Sequence, residues 1–212
     1  MGQIPVSGHG EFTYPGGNKY CGNFLDYKRE GWGKMTFPDM TAAEGTWKND
    51  ELIKGKITYL DGSIYNGELL DFDAHGYGKY QYPNGDIYEG EWRKDKQHGY
   101  GKMIYLEENE SYEGEWENDQ ANGNGKQTMD DGTIYEGVWK NHDRNGNFTI
   151  HYKNGKKMYV KFKDGELDKT KCKIVAKIPQ EEFAVDIPLL TQYLVEPLVV
   201  KKRSQYYELI FE

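Results

Sequence analysis

The sequence predicts an all-β protein: a single-layer twisted solenoid of consecutive antiparallel β-hairpins, with a short non-repetitive C-terminal tail. One pattern recurs six times over the 138 residues between Tyr20 and Met158, at an average spacing of 23 residues. Within each repeat, glycine alternates with aromatic residues at every second position. All 26 glycines lie at or before Gly165, so the repeats and the tail differ in composition.

The first half of each repeat reads Tyr-x-Gly-x-aromatic, as in the stretch from Tyr88 through Gly90 to Trp92. Alternation with a period of two predicts a β-strand that turns the tyrosine, glycine and tryptophan to one face and the glutamates to the other. Further copies begin at Tyr65, Tyr112 and Tyr135.

The second half of each repeat opens with Gly-x-Gly about five or six residues later, as at Gly99 and Gly101. This stretch keeps the same alternation and ends in turn-forming residues such as Asn84-Gly85 or Asp131-Gly132. Each period therefore predicts one hairpin of two strands.

Glycine inside strands is costly, so its recurrence at fixed positions predicts a packing role. We expect a tyrosine or tryptophan of the adjacent strand to lie flat against the glycine backbone. Four tryptophans share one repeat position and are predicted to form the core: Trp47, Trp92, Trp116 and Trp139.

The segment from Tyr88 to Gly101 resembles the MORN repeat (membrane occupation and recognition nexus), whose pattern is Tyr-x-Gly-x-Trp/Phe, a loop, then His/Asn-Gly-x-Gly. The resemblance covers residues 8 to about 165. Ala43 departs from it in the second unit, and Phe148, Met158 and Val160 depart from it near the end. It implies a non-catalytic scaffold, similar to radial spoke head subunits of the ciliary axoneme and to cytoskeletal scaffolds of protists.

These patterns predict two regions, a hairpin array of about six to seven units over residues 8–165 and a glycine-free tail over residues 166–212. Two cysteines, Cys21 and Cys172, are too few for a disulfide framework. The sequence contains no apolar run long enough to span a bilayer as a helix. We therefore expect a cytoplasmic protein. The net charge of −8 argues against nucleic acid as the main partner.

Charged residues recur on the predicted outward face of the array. A glutamate row, which includes Glu44, Glu89, Glu113 and Glu136, is expected beside a lysine row. Such a face can be a solvated surface with cross-strand ion pairs, or a surface that a protein partner or anionic lipid recognises. The candidate partner-binding lysines are Lys34, Lys56, Lys79, Lys102 and Lys126.

No catalytic, cofactor-binding or metal-ligating motif is predicted. His75 and His98 each precede a Gly-x-Gly, where later repeats have Asn122 and Asn145. Asparagine and histidine both tolerate unusual φ values, so these positions are interpreted as turn residues.

The tail contains two apolar segments. A short helix is predicted over residues 186–194, with Leu190, Tyr193 and Leu194 on its apolar side. A possible strand over residues 205–211 carries Tyr207 and Phe211 on one face. The tail either caps the array or is an arm that docks on a partner.

The sequence thus predicts a scaffold in a large intracellular assembly, with protein subunits as partners. The resemblance to the MORN family implies that this assembly belongs to the cytoskeleton or the ciliary axoneme. The alternative is a peripheral membrane module that binds phosphoinositides through the lysines. A homodimer is possible because the array ends expose strand edges.

Overall fold

The computed structural model describes residues 3–168, 173–174, 198–202 and 207–211, and within these ranges every regular element is a β-strand. The all-β prediction is therefore confirmed for this part of the chain. The strands are β1 (Ser7–Thr13), β2 (Lys19–Leu25), β3 (Lys28–Thr36), β4 (Ala42–Lys48), β5 (Glu51–Thr58), β6 (Ile64–Leu70), β7 (Asp73–Gln81), β8 (Ile87–Arg93), β9 (Lys96–Tyr105), β10 (Glu110–Glu117), β11 (Gln120–Thr128), β12 (Ile134–Lys140), β13 (Asp143–His151), β14 (Lys157–Lys163), β15 (Glu166–Leu167), β16 (Lys173–Ile174), β17 (Leu198–Lys202) and β18 (Tyr207–Phe211). No helix capable of crossing a membrane occurs in the described ranges.

The chain forms two compact units, Met1–Glu107 with Trp116–Asp119, and Glu108–Glu115 with Gln120–Glu212. In the first unit, strands β1 to β9 each pair antiparallel with the next strand along the chain. In the second, β11 to β15 are paired in the same consecutive way. The predicted succession of hairpins is confirmed within each unit.

Two-residue turns join the strands inside each repeat. In the turn between β2 and β3, both Asp26 and Tyr27 have positive φ, 49° and 64°. Two successive positive φ values characterise the type I′ turn, whose twist suits a β-hairpin. The same pair recurs at Asn49-Asp50, Asp71-Phe72, Lys94-Asp95, Asn118-Asp119 and Asn141-His142.

The interpretation of His75 and His98 as turn residues is wrong. Both lie inside strands, β7 and β9, and neither has a positive φ. Positive φ belongs instead to the glycine that follows each of them, Gly76 at 62° and Gly99 at 61°. The histidine that does hold a type I′ turn is His142.

Longer turns join successive repeats, as the Asn-Gly and Asp-Gly pairs predict. Between β7 and β8, the Tyr82 N–H donates to the Asp86 carbonyl, and the Gly85 N–H donates back to the Tyr82 carbonyl, both at 2.9 Å. Gly85 has φ 93°, and the Asn84 side chain accepts from the Asp86 N–H at 3.1 Å. This is a three-residue hairpin loop that ends in a left-handed residue.

The Gly-x-Gly pairs of β3, β7 and β9 each lie at a β-bulge. The register between β8 and β9 pairs Gly90 with Gly101 but Glu91 with His98, so Gly99 and Tyr100 are extra residues on β9. The residue between the two glycines lies on the face opposite to them, because side chains alternate along the strand.

The core lies on one face of the strands. In β8, Tyr88, Gly90 and Trp92 are buried, whereas the intervening glutamates are exposed. The four tryptophans predicted for the core are all buried.

Candidate protein-interaction surface

On the core face, tyrosine side chains cover the pairs of glycines that face each other on neighbouring strands. A Cβ on Gly90 would lie 2.8 Å from the Tyr88 hydroxyl, which also covers Gly101 on the neighbouring strand. The hydroxyl donates to the Glu91 carbonyl at 3.0 Å, and burial raises the pKa of Tyr88. The same tyrosine thus covers the glycine two residues later on its own strand and, as predicted, the glycine that faces it on the adjacent strand. Tyr20, Tyr65 and Tyr112 make the same arrangement.

Tryptophans connect one repeat to the previous one. The indole Nε1 of Trp92 donates to the Gly78 carbonyl at 3.0 Å, and its ring meets that of Tyr65 edge-on at 5.6 Å. Trp47 and Trp116 donate likewise to Gly33 and Gly101. The polar atoms of these side chains are occupied inside the fold, so they are not available for chemistry.

Within each unit, lysines of the outward face lie opposite glutamates of the neighbouring strand, except that Asn66 lies between Lys56 and Lys79. Lys34 lies opposite Glu44, and Glu44 lies opposite Lys56. Further along, Lys79 and Lys102 flank Glu89 on either side. In the second unit, Lys126 faces Glu136. The predicted lysines and glutamates therefore lie side by side on neighbouring strands within each unit, as cross-strand pairing requires.

This alternation neutralises the lysines locally. Lys79 Nζ lies 3.8 Å from Glu89 Oε2, with both side chains about half exposed. The Tyr77 hydroxyl donates to the same carboxylate at 3.3 Å. Exposed pairs of this kind contribute little stability, but they break up any continuous positive surface.

A second set of glutamates supports the bulges. Glu91 Oε1 accepts a 3.0 Å hydrogen bond from the Tyr100 backbone N–H, and Glu115 Oε1 accepts a 2.9 Å bond from the Asn124 side chain. Glu68, Glu91 and Glu115 each lie against the first glycine of a Gly-x-Gly. These carboxylates are therefore part of the bulge structure, a role that the sequence pattern had not indicated.

Three large aromatic side chains are exposed on the outward face of the first unit. Trp32, Tyr77 and Tyr100 each stand between the two glycines of a Gly-x-Gly, with 58%, 55% and 54% of their surface exposed. With about 4.8 Å between strands, Tyr77 and Tyr100 on successive hairpins are roughly 10 Å apart. Trp32 is two hairpins, or roughly 20 Å, from Tyr77, because Lys54 holds the equivalent position on β5. We name these three residues the outward aromatic row. In the second unit the same position holds Asn124 and Asn147.

Sequence reasoning had missed the outward aromatic row. The signal was present, since strand alternation places the residue between the two glycines on the outward face and that residue is aromatic in three repeats. The indole side chain of Trp32 makes no hydrogen bond or ring contact with other residues in the described part of the chain. Exposed tryptophan and tyrosine are the residue types most enriched in binding hot spots.

Of the predicted tail residues, Leu190, Tyr193 and Leu194 and the helix that would carry them lie outside the described residues. Tyr207 and Phe211 are the first and last residues of β18, so the predicted strand is confirmed. In the described ranges, no group of three or more His, Cys, Asp or Glu side chains is arranged to hold a metal ion.

Comparison with known proteins gives one family match. The family model for the MORN repeat matches residues 7–19, 20–39, 73–87, 88–105, 112–134 and 135–157. A search of curated protein sequences finds no match.

Solved structures share only a distant likeness. The TCP domain of SAS-4 (dCPAP) from Drosophila melanogaster, in complex with a proline-rich motif of Ana2 (dSTIL), has 11% identity and a TM-score of 0.46, covering 84% of this chain and 88% of that one. The G-box domain of CPAP has 16% identity and a TM-score of 0.37, covering 76% and 97%. The TCP10 domain of Danio rerio CPAP has 12% identity and a TM-score of 0.30, covering 79% and 88%.

Proposed function

Because the chain belongs to the MORN-repeat family, we propose that it is a non-catalytic scaffold subunit that binds partner proteins on the outward aromatic row. The family indicates a protein-interaction role in general. The row supplies the specific surface, since it presents three aromatic rings beside paired charges on regular strands. Rigid aromatic side chains gain contact area at little entropic cost, which suits them to anchor a partner.

The outward aromatic row is tested by a triple variant, Trp32→Ala, Tyr77→Ala and Tyr100→Ala. Tagged protein is purified from its native source, and the copurifying proteins are quantified by mass spectrometry. We expect the triple variant to lose at least tenfold in bound partner, because each truncated hot-spot residue typically costs about 2 kcal/mol or more.

The matched control is Tyr159→Ala, which removes an exposed tyrosine from β14 in the second unit. It should leave partner recovery unchanged. Equal recovery with the triple variant and the wild type would reject the row as the binding surface.

We further propose that the assembly is cytoskeletal, most specifically the ciliary axoneme in the manner of a radial spoke head. This rests on the resemblance to MORN scaffolds of simple architecture. Tagged protein expressed in ciliated cells should copurify with axonemes. A diffuse cytoplasmic distribution with no axonemal fraction would exclude this location.

The lysine row remains the basis of the alternative, a membrane module that binds phosphoinositides. The pairing of Lys79 with Glu89 argues against it, because the carboxylates offset the positive charge an anionic lipid requires. Flotation with liposomes that contain phosphatidylinositol bisphosphate decides the question. Binding that Lys79→Ala with Lys102→Ala abolishes would favour the membrane module, whereas no recovery on these liposomes would eliminate it.

A further inference from the structure

The longer turns of the first unit share an exposed apolar residue at their second position. Turns 14–18, 37–41, 59–63 and 82–86 all close with the same hydrogen bond, from the first N–H to the fifth carbonyl, at 2.8 to 3.0 Å. A fifth turn follows Tyr105 at the end of β9. The second residues of these five turns are Pro15, Pro38, Leu60, Pro83 and Leu106, and all are exposed. We name them the turn ridge.

The turn ridge follows one edge of the sheet in the first unit. Because each strand pairs antiparallel with the next, alternate turns lie at the same edge, roughly 10 Å apart. Successive turns touch: a Cβ on Gly85 would lie 3.2 Å from Leu106 Cδ1, and a Cβ on Gly17 would lie 3.2 Å from Pro38 Cγ. The Leu106 N–H also donates to Asp86 Oδ1 at 2.9 Å. The five residues therefore form a line about 40 Å long.

The apolar character of the turn ridge is not required by the turns themselves. In the second unit the same position holds Asp130 and Lys153, in turns with the same closing bond. In the first unit, Leu60 and Leu106 leave 75% and 55% of their surface exposed, and Met40, in the same turn as the second ridge residue, leaves 74%. A line of exposed apolar side chains that the fold does not need indicates a binding surface.

The charge beside the turn ridge is negative. From the second turn to the fifth, each turn contributes a carboxylate: Asp39, Asp61, Asp86 and Glu107. Asp61 accepts hydrogen bonds from the Ser63 hydroxyl at 2.7 Å and the Ser63 N–H at 2.9 Å, and these lower its pKa, so it is ionised at neutral pH. The strand residues next to the turns are uncharged, namely Thr36, Ala42, Thr58, Ile64, Gln81 and Ile87. The ridge therefore complements a partner that is both apolar and basic.

The spacing of the turn ridge matches an α-helix. Seven residues of helix rise about 10.5 Å, close to the roughly 10 Å between ridge residues. An extended strand covers the same distance in about three residues, and side chains three apart on a strand point to opposite faces. A polyproline II segment also matches the spacing, but such segments bind in aromatic-lined grooves, whereas the ridge residues lie at exposed turn tips. Turn tips of this kind fit between the side chains of a helix.

We propose that the turn ridge binds a basic amphipathic α-helix of a partner protein, with one aliphatic side chain per seven residues on the ridge and Lys or Arg beside it. The basic side chains would pair with the carboxylates of the turns, and about 27 residues of helix would cover a line of about 40 Å. Every regular element in the described ranges is a strand, so the described part of a second copy supplies no such helix.

The probe is a 28-residue peptide of four identical heptads, Leu-Ala-Ala-Lys-Lys-Ala-Ala, in which the lysines flank the leucine on the helix surface. Binding to the full-length, ¹⁵N-labelled protein is followed by amide chemical shifts up to about 1 mM peptide. We expect saturable shifts at Met40, Leu60 and Leu106. Affinity should be at least about fivefold higher than for a peptide with glutamate in place of every lysine, and than for one of equal composition whose leucines lie on different helix faces.

A double variant, Leu60→Asp with Leu106→Asp, tests the ridge in the protein. Asp130 shows that this turn position accepts aspartate, so the variant should fold. Its affinity for the lysine peptide should fall at least about tenfold, because two apolar contacts are lost. The matched control is Lys153→Asp, which changes the same turn position in the second unit and should leave the affinity unchanged. The absence of saturable shifts, equal affinity for the three peptides, or unchanged affinity of the double variant would each overturn the proposal.

Sedimentation of the free protein covers a second copy as occupant. A concentration-dependent dimer that Leu60→Asp with Leu106→Asp abolishes would show that the ridge joins two copies, which would also overturn the proposal. The outward aromatic row is tested separately, since the triple variant at Trp32, Tyr77 and Tyr100 leaves the turn ridge intact and should bind the lysine peptide as the wild type does.

Discussion

Trp92 reaches back fourteen residues to donate its indole Nε1–H to the carbonyl of Gly78, at 3.0 Å. Gly78 is the second glycine of the preceding bulge, so the bond fastens the first strand of one repeat to the last strand of the repeat before it. The indole of Trp139 also lies in the core, but its Nε1 has no hydrogen-bond partner in the described part of the chain.

Trp92 and Trp139 therefore allow a matched comparison of a buried indole with and without its hydrogen bond. Trp92→Phe removes a hydrogen bond and leaves the buried Gly78 carbonyl without this donor, whereas Trp139→Phe removes only ring volume. We expect the free energy of unfolding to fall by about 1 kcal/mol more for Trp92→Phe than for Trp139→Phe. Urea denaturation of both variants measures the difference. Equal losses would show that the indole bond contributes nothing.

The glycine pairs should tolerate no side chain. Gly90→Ala places a Cβ against the Gly101 backbone, the Tyr100 carbonyl and the Tyr88 hydroxyl. Because two of these neighbours are backbone, we expect a loss of about 2 to 4 kcal/mol in the free energy of unfolding.

Gly16→Ala is the control, since nothing lies within 4 Å of its Cβ position and its φ is not left-handed. It should change the free energy of unfolding by less than about 1 kcal/mol, and in the stabilising direction if at all. A similar loss at both positions would contradict the packing explanation for the recurrent glycines.

Asp95 should make stability depend on acidic pH. Its carboxylate accepts from the Ala74 N–H at 2.6 Å, but partial burial, followed by the neighbouring Asp73, raises its pKa above the usual value. A carboxyl group with a raised folded-state pKa stabilises the protein below its unfolded-state pKa, and that contribution is lost as pH rises through the folded-state value.

Asp95→Asn keeps an oxygen acceptor for Ala74 and removes the charge. We expect the variant to be more stable than the wild type at pH 7, by a few tenths of a kcal/mol up to about 1 kcal/mol, with the advantage disappearing near pH 3. High salt should reduce the gain. Thermal unfolding across pH 3 to 7 measures it, and a variant that is less stable at pH 7 would refute the assignment.

The tail should behave as a cap. β16 pairs with β14 through Lys173 and Tyr159, and β18 pairs with β16 through Ile210 and Lys173. Deleting residues 177–212 removes β17 and β18, so we expect the Tm to fall. In a chain of this size, each kcal/mol of lost stability lowers the Tm by about 2 to 4 °C. An unchanged Tm together with lost partner binding would instead identify the tail as a docking arm.

The sequence by itself determined the repeat, the strand alternation and the buried tryptophans. These follow from a period of two within strands and a period of about 23 between hairpins, and both are local properties that a linear pattern can carry. Tyr88, Gly90 and Trp92 share the core face for this reason alone.

Only the tertiary structure decided which residues are left on the surface. The bulge at Gly99 depends on a pairing between strands, and there the Tyr100 backbone N–H donates a hydrogen bond to the Glu91 carboxylate. Register likewise placed Lys79, Glu89 and Lys102 in one alternating row, because side chains that face each other across strands come from distant sequence positions.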